Sequence, residues 1–379
     1  MNRYLLVVNP GLERLLISEI KSLVARINEK VNHIVLIKGG AELDLPLEDA
    51  LCIASQSRLL ESIRIRVGSF YASQWYQLEN GVNHLSLPTS RTFCPQVHIT
   101  SHQSHLYHTE AIKERILKTR LFKSRVDPSS VSIPFYFLFH HDYCTVSMEI
   151  GGFYKRGYRR FVSKTPLRET LAAALGYSVL WRMKESDCVI IDPFCGSGTI
   201  LQEFYSFVRN DSPTLQRKRL ISDYKELYEQ IPEFASCRIS ATTDRWNHLH
   251  NCQFQGFDID LSVIECAKKN THILDSGAEE SIHFKQMELK KTIEYVTYSQ
   301  TKRIVLLSNP PYGYKSKSSN ASLVSLYHDL IEWIRSLQSQ NRLTAASILI
   351  PSFIYDHHLP SAFRSTVRDC IPISNHGLH

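Results

Sequence analysis

Asp192-Pro193-Phe194-Cys195-Gly196-Ser197-Gly198-Thr199 follows the apolar run Cys188–Ile191 and opens a helical pattern. Glycines in such a turn let the backbone approach a ligand closely, and the helix start offers unpaired N–H groups. No lysine follows Gly198, so this is not a phosphate-binding P-loop. Leu201 occupies the third glycine position of a dinucleotide fingerprint, which makes the stretch a poor match to that motif. What remains is a strand ending in an acid, a tight turn and a helix, the first unit of a doubly wound α/β domain.

Working outward, the pattern from residue 164 onward alternates helix and buried strand. Pro166–Met183 reads as an alanine-rich helix. Cys188–Asp192, Gln255–Asp258, Ile282–Phe284, Ile304–Ser308 and Ala345–Ile350 read as strands, with Leu261–Leu274 and Ser322–Leu337 as helices between them. Residues 209–250 form a polar insertion, expected as a surface excursion. Lys315-Ser316-Lys317-Ser318-Ser319-Asn320 reads as a loop.

Two further strand ends carry chemistry. Gln255-Gly256-Phe257-Asp258-Ile259-Asp260 ends a strand with a carboxylate that can accept both hydroxyls of a ribose. Asp260 suits a helix cap, and Asp258 taken alone could be one too. Ser308-Asn309-Pro310-Pro311-Tyr312-Gly313 follows another apolar strand. Its adjacent prolines fix the carbonyls of Asn309 and Pro310. The Asn309 side-chain oxygen and the Pro310 carbonyl can each accept one N–H of an exocyclic amine, while Tyr312 offers a face for a base. In isolation the stretch could equally be a proline-rich turn around a buried tyrosine.

Upstream, the pattern changes twice. Tyr4–Val8, the helical spacing from Leu12 to Ile27, Val31–Lys38, the helix Pro46–Ser55 and the strand Ser62–Phe70 resemble a small ferredoxin-like unit. Residues 71–150 read as a second unit. It holds a strand at Gln96–Thr100, a basic helix at His108–Phe122, and a hairpin of Ile133–Phe139 and Tyr143–Ile150 around His140-His141-Asp142. Gly151-Gly152 and Lys155-Arg156-Gly157-Tyr158-Arg159-Arg160 make a domain joint.

The chain has 379 residues, 43% of them hydrophobic, and a net charge of +7, which fits two or three globular domains and excludes a disordered chain. No run reaches the length of a membrane span, and the first residues read as a strand rather than a signal peptide. Nine scattered cysteines without a C-x-x-C pair indicate neither a disulfide framework nor a zinc knuckle. Histidines 102, 105 and 108 lack cysteine partners, so no metal is expected. The chain therefore reads as a soluble, cytoplasmic protein. Residues 1–160 carry 20 Lys+Arg against 14 Asp+Glu, and the remainder 24 against 23. A basic front half is compatible with a polyanionic partner and equally with an ordinary solvated surface.

Taken together, these motifs resemble the S-adenosylmethionine-dependent class I methyltransferases. Lys164-Thr165-Pro166-Leu167-Arg168-Glu169, the DPFCGSGT turn, the Gly256–Asp260 acid and NPPYG occur in that order. The resemblance is closest to THUMP-domain RNA methyltransferases, especially bacterial guanine-N2 methyltransferases of large-subunit rRNA. It extends to the joint Lys155–Arg159, to Ser104–Thr109 and to Ser281–Met287. It implies a Rossmann-like methyltransferase domain over 160–379, preceded by a ferredoxin-like domain over 1–70 and a THUMP RNA-binding domain over 71–155.

The resemblance also implies residue roles. Asp192, Phe194, Gly196, Gly198 and Thr199, with Thr165 and Pro166, would hold the methionine end of S-adenosylmethionine. Asp258 would bind the ribose, Ile259 would pack on the adenine, and Glu288 would read the adenine amine. Asn309, Pro310, Pro311 and Tyr312 would hold the target base, with Asn309 also facing the cofactor. Lys113, Arg115, Lys118, Lys155, Arg156, Arg159 and Arg160 would contact RNA. The expected reaction is a direct displacement onto an amine nitrogen with no covalent enzyme intermediate, so Cys195 reads as a small buried residue. The family continues past its fifth strand into a closing hairpin, whereas 28 residues follow Pro351 here.

The leading expectation is methylation of guanosine N2 in 23S rRNA, with no membrane association and no obligate protein partner. Guanine-N2 methylation of tRNA, adenine-N6 methylation and a non-catalytic RNA-binding assembly role are the alternatives.

Overall fold

The computed structural model describes residues 2–27, 34–88, 92–152, 156–162, 167–180, 182–183, 187–209, 249, 251–275, 277–299, 302–313 and 320–373. These fall into two compact units. Among the described residues, those up to 152 form the first unit and those from 156 onward the second, except that residues 9–15 group with the second. Among the described residues no helix is long and apolar enough to cross a membrane.

The first unit begins with β1 (Asn2–Val7), α1 (Glu13–Ile27), β2 (Val35–Ile37), β3 (Gly40–Leu45), α2 (Leu47–Gln56) and β4 (Ser62–Tyr71). Strand order β2-β3-β1-β4, with every pair antiparallel, is the ferredoxin-like arrangement. Pro46 sits where α2 starts, a position that needs no donor. The chain continues through α3 (Trp75–Asn83), β5 (Cys94–His102), α4 (Thr109–Lys118), α5 (Arg120–Lys123), β6 (Ser132–His140) and β7 (Tyr143–Gly152). β7 pairs with β4, so one seven-stranded sheet in the order β2-β3-β1-β4-β7-β6-β5 passes through both N-terminal segments.

The β6–β7 hairpin turns through His141 and Asp142 with φ of 50° and 63°, as a two-residue loop requires. Alternate residues Ile133, Phe135, Phe137 and Phe139 of β6 are buried, and Phe122 packs on Phe135 at a centroid distance of 5.2 Å. The helix expected over His108–Phe122 is two helices, because Thr119 is extended with ψ 155°.

The second unit holds α6 (Glu169–Leu180), β8 (Cys188–Asp192), α7 (Thr199–Val208), β9 (Gln253–Asp258), α8 (Leu261–Leu274), α9 (Ala278–Ser281) and β10 (Ile282–Gln286). It continues with α10 (Leu289–Ser299), β11 (Arg303–Ser308), α11 (Asn320–Ser339), β12 (Leu343–Ile348), α12 (Ser352–His357) and α13 (Ser361–Arg364). Its sheet is wholly parallel in the order β10-β9-β8-β11-β12, the Rossmann-like arrangement expected from the alternating pattern. All of β8 and nearly all of β11 are buried, as parallel strands covered on both faces must be. Val189, Ile191, Ile304 and Leu306 pack with Tyr327, Leu330, Ile331 and Ile334 of α11. The chain runs outward from β8 to β10 and returns to place β11 beside β8. The crevice of such a sheet opens at that switch point, outside the strands' carboxyl ends.

The insertion expected over 209–250 and the loop expected over 315–320 lie almost wholly outside the described residues.

Candidate functional site

Asp192 ends β8 with no exposure. Its Oδ1 accepts hydrogen bonds from the Phe194 N–H at 3.1 Å and from the Ser308 hydroxyl at 3.0 Å. Its Oδ2 is buried and has no partner among the described residues. Burial pushes the carboxyl up to about 7, with nearby Asp258 adding to the rise and the two hydrogen bonds opposing it.

The turn after Asp192 is held by backbone bonds. Cys195 N–H donates to Phe257 O at 2.8 Å, and Gly198 N–H to Cys195 O at 2.8 Å. Gly196 and Gly198 take φ of 50° and 83°, left-handed values that favour glycine. Their surroundings differ. A Cβ at Gly198 would lie 2.8 Å from the Phe284 ring, whereas one at Gly196 would meet nothing within 4 Å. Thr199 starts α7 and is buried. Cys195 is buried too, and burial raises its thiol pKa far above the ordinary range, which leaves it protonated and inert.

Asp258 ends β9 beside this turn. Its Oδ2 accepts from Gly196 N–H at 2.9 Å and its Oδ1 from Asp260 N–H at 3.0 Å. Burial raises its pKa. Each oxygen keeps a second lone pair, so ribose hydroxyls can still be accepted. Asp260 caps α8, accepting from Ser262 N–H at 2.8 Å, as its position suggested. Ile259 between them is 69% exposed. Gln286 Nε2 donates to Ile259 O at 3.0 Å, and Met287 N–H to Asp258 O at 2.8 Å, so the ends of β9 and β10 are tied together. Glu288 is exposed at the start of α10 and lies 3.6 Å from Lys291.

At the end of β11, Pro310 is buried while Asn309 and Tyr312 are half-buried. The Tyr312 hydroxyl donates a short hydrogen bond to Asn309 Oδ1. Burial pushes the Tyr312 phenol up to about 12, so it remains a donor at ordinary pH. Tyr327 from α11 donates to Pro311 O at 3.3 Å, which steadies the turn. The Asn309 acceptor is therefore engaged by Tyr312.

The structure thus brings Asp192, Phe194, Gly196, Gly198, Thr199, Asp258, Ile259, Asn309, Pro310, Pro311 and Tyr312 to the carboxyl edge of one sheet. Thr165, Pro166 and Lys155 lie outside the described residues. Sequence reading missed Ser308, whose hydroxyl joins the two motifs, and Gln286; neither stands out in a strand pattern.

The expected RNA contacts need correction at two positions. Arg156 is 2% exposed, and its Nε lies 2.8 Å from Glu203 Oε1, which also accepts from the Tyr158 hydroxyl at 2.8 Å. Arg159 Nη2 lies 3.0 Å from Glu169 Oε2, with 13% of its side chain exposed. Both cations are spent inside the fold, because buried carboxylates require partners. Arg160 is exposed. In the first unit, Lys113, Arg115 and Lys118 are on the surface, paired with Glu110, Glu79 and Glu114 at 3.9, 2.6 and 3.6 Å.

The site fits S-adenosylmethionine on its own geometry. The orphaned, buried Asp192 Oδ2 suits an ammonium group, and the open space over Gly196 suits the chain that carries it. Among the described residues no three histidine, cysteine, aspartate or glutamate side chains gather to hold a metal.

Comparison with known proteins agrees with this architecture. The chain is 23% identical over 350 residues to the ribosomal RNA large subunit methyltransferase K/L of Acinetobacter baumannii strain ACICU, covering 85% of this chain and 46% of that protein. It is 27% identical over 344 residues to the protein of that name from Vibrio cholerae O395, covering 86% of this chain and 46% of that one. The chain thus spans about half the length of these curated relatives. Among solved structures, SMU.472 complexed with SAH superposes with a TM-score of 0.76 at 23% identity, covering 100% of this chain and 96% of that one. A protein from Clostridium difficile 630 gives 0.77 at 23%, with the same coverage. The RMKL-like methyltransferase domain family matches residues 156–356, more than half of the sequence, and the chain belongs to that family.

Proposed function

We propose that the protein transfers a methyl group from S-adenosylmethionine to the exocyclic N2 of guanosine in large-subunit rRNA, acting in the cytoplasm. The observation that carries this reading is the pairing of β8 with β11. It sets the Asp192–Thr199 turn and the Asn309–Tyr312 turn side by side at one sheet edge, joined by the Ser308–Asp192 hydrogen bond. The names of the K/L relatives and the SAH in SMU.472 point the same way.

In this reading Asp192 takes the methionine ammonium, Gly196 gives its backbone room, Asp258 takes the ribose hydroxyls and Ile259 covers the adenine, with Glu288 near the adenine amine. Phe194, Gly198 and Thr199 shape the turn, and the family resemblance adds Thr165 and Pro166 to the contacts of the methionine end. S-adenosylmethionine supplies an electrophilic methyl group when bound. Asn309 Oδ1 and the Pro310 carbonyl accept the two amine N–H groups and turn the nitrogen lone pair toward the methyl. As the N–C bond forms and the sulfonium S–C bond breaks, with S-adenosylhomocysteine as the leaving group, the amine nitrogen would become cationic. These two acceptors would bind it more tightly before its extra proton passes to solvent, which is preferential stabilisation of the transition state. Tyr312 stacks on the base. Residues 1–70 serve as the ferredoxin-like domain and 71–155 as the THUMP RNA-binding domain. Arg160, Lys113, Arg115, Lys118 and Lys155 are the cations offered to RNA phosphates.

The test incubates the protein with labelled S-adenosylmethionine and unmodified total RNA and identifies the labelled nucleoside by chromatography. Label in N2-methylguanosine of large-subunit rRNA is the expected result. Label confined to tRNA or to N6-methyladenosine overturns the substrate assignment. A folded protein that labels nothing and binds no cofactor overturns the enzymatic reading.

A further inference from the structure

Asn270, near the end of α8, has no exposed surface. Its Oδ1 accepts from the backbone N–H groups of Arg160 at 3.1 Å and Phe161 at 3.0 Å. Its Nδ2 donates to Phe161 O at 2.7 Å and to Ser197 O at 3.4 Å. A primary amide offers two donor hydrogens and two acceptor lone pairs, and here all four are used on backbone. Ser197 lies between Gly196 and Gly198. One side chain therefore ties together the glycine turn and the segment at 160–161, which precede it by 73 and by 109–110 residues.

That segment presents apolar surface without covering it. Phe161 is 41% exposed and Val162 is 52% exposed. Lys269, the neighbour of Asn270 on α8, places its Nζ 5.3 Å from the Phe161 ring centroid and limits the ring on that side. Asparagine is a poorer helix former than alanine or leucine in a helix interior, and local packing alone does not call for a polar residue there. Four backbone groups, the N–H of Arg160 and of Phe161 and the carbonyls of Phe161 and Ser197, converge on the buried amide, which an apolar side chain could not serve.

We infer that Asn270 is a positioning residue for cofactor binding, holding Phe161 beside the Gly196–Gly198 turn as an apolar wall of the pocket. It touches no ligand itself, since its amide is fully engaged. It acts by fixing where Phe161 stands before the ligand arrives, so that binding need not order this segment. An aspartate at 270 keeps the acceptors but turns a carboxylate oxygen toward Phe161 O and Ser197 O, which repels both. The inference rests on the S-adenosylmethionine reading of the site.

The test titrates the full-length protein calorimetrically with S-adenosylhomocysteine, comparing wild type, Phe161→Ala, Asn270→Ala and the double variant. Wild type binds, and Phe161→Ala raises Kd about tenfold, the loss expected when one apolar wall is removed. Asn270→Ala raises Kd at least as much, and adding Phe161→Ala to it changes Kd by less than about twofold, because coupled residues are not additive. Steady-state assays show the same rise in KM for S-adenosylmethionine with kcat within about threefold, a split that general loss of structure does not produce. Should Asn270→Ala fail to fold, Asn270→Asp replaces it. A Phe161→Ala Kd equal to wild type, or fully additive variants, overturns the inference while leaving the cofactor reading standing. A folded wild type that does not bind S-adenosylhomocysteine overturns both.

Discussion

The Ser308 hydroxyl donates to Asp192 Oδ1 at 3.0 Å, joining residues 116 positions apart at the ends of neighbouring parallel strands. Neither side chain is exposed. The bond engages one carboxylate oxygen and leaves the other, Oδ2, buried and without a partner among the described residues, the oxygen to which the proposed reading assigns the ammonium. Ser308→Ala removes a hydrogen bond to a buried carboxyl, worth about 1–2 kcal/mol. The expected result is a Kd for S-adenosylhomocysteine raised about tenfold with the fold intact, read by calorimetry and circular dichroism. An unchanged Kd would separate Ser308 from the site.

Asp192 also sets a pH dependence. Its carboxyl is pushed up to about 7 by burial, so the folded chain holds a proton that the unfolded chain releases near pH ~4. Folding stability from this group is therefore full below pH ~4 and is lost as pH rises toward about 7. Ligand binding runs the other way, because an ammonium needs the ionised carboxylate. Affinity for S-adenosylhomocysteine should rise with pH, by up to about tenfold per unit below 7, and level off above it. Asp192→Asn should bind weakly at every pH and lose the stability decline. Calorimetric titrations and urea melts across that range read both, and a flat wild-type affinity would contradict the assignment.

The two glycines of the turn should separate fold from function. At Gly198 an added methyl meets the Phe284 ring at 2.8 Å and φ is 83°, so Gly198→Ala should destabilise by about 2–4 kcal/mol. At Gly196 the space is open, so Gly196→Ala should cost only about 1 kcal/mol of backbone strain while filling room the ligand needs. Thermal melts beside ligand titrations test the contrast. Equal melting temperatures for the two variants would refute it.

Local patterns carried the second unit well. β8 and α8 run over the residues read from the sequence, because a buried apolar run and an aspartate cap are local signals. The first unit was less legible. β3, Gly-Ala-Glu-Leu-Asp-Leu, was hidden by the glycine pair Gly39-Gly40 at its start and by its alternating acids. α3 was missed because only Leu78 and Val82 of it are buried. The β4–β7 pairing joins segments some 80 residues apart, which no local period encodes. In the site the motif residues were visible, whereas Ser308 and Asn270 owe their roles to partners that only the folded chain brings near. Arg156 and Arg159 read as free cations because a sequence does not show which glutamate they face.

Tyr312 and Asn309 should give a graded series. Tyr312→Phe keeps the ring and frees Asn309 Oδ1 from its internal donor, so turnover should hold or rise modestly. Tyr312→Ala removes the stacking face, worth about 1–3 kcal/mol per base, and should raise KM for RNA. Asn309→Ala removes the acceptor that the proposed reading assigns to the reacting amine and should lower kcat by about a hundredfold or more, a loss much larger than any change in cofactor Kd. Single-turnover assays with RNA in excess distinguish these effects. A Tyr312→Phe variant as slow as Asn309→Ala would show that the hydroxyl itself takes part in catalysis.

Arg156 and Arg160 are four residues apart and should behave in opposite ways. Arg156 meets Glu203 at 2.8 Å with both side chains almost wholly buried, so Arg156→Ala takes the paired cation from a carboxylate in the interior. Breaking such a pair costs about 3–5 kcal/mol, which should appear as a lower urea midpoint with the salt dependence of RNA binding unchanged in the folded fraction. Arg160 is exposed, and its backbone rather than its side chain is held by Asn270. Arg160→Ala should leave the midpoint within about 0.5 kcal/mol and weaken RNA binding, with the slope of log K against log salt reduced by about one. Filter binding at several salt concentrations measures that slope. If Arg156→Ala lowers the slope and Arg160→Ala does not, the inward assignment of Arg156 is wrong, because a cation paired inside the fold releases no counterion from RNA.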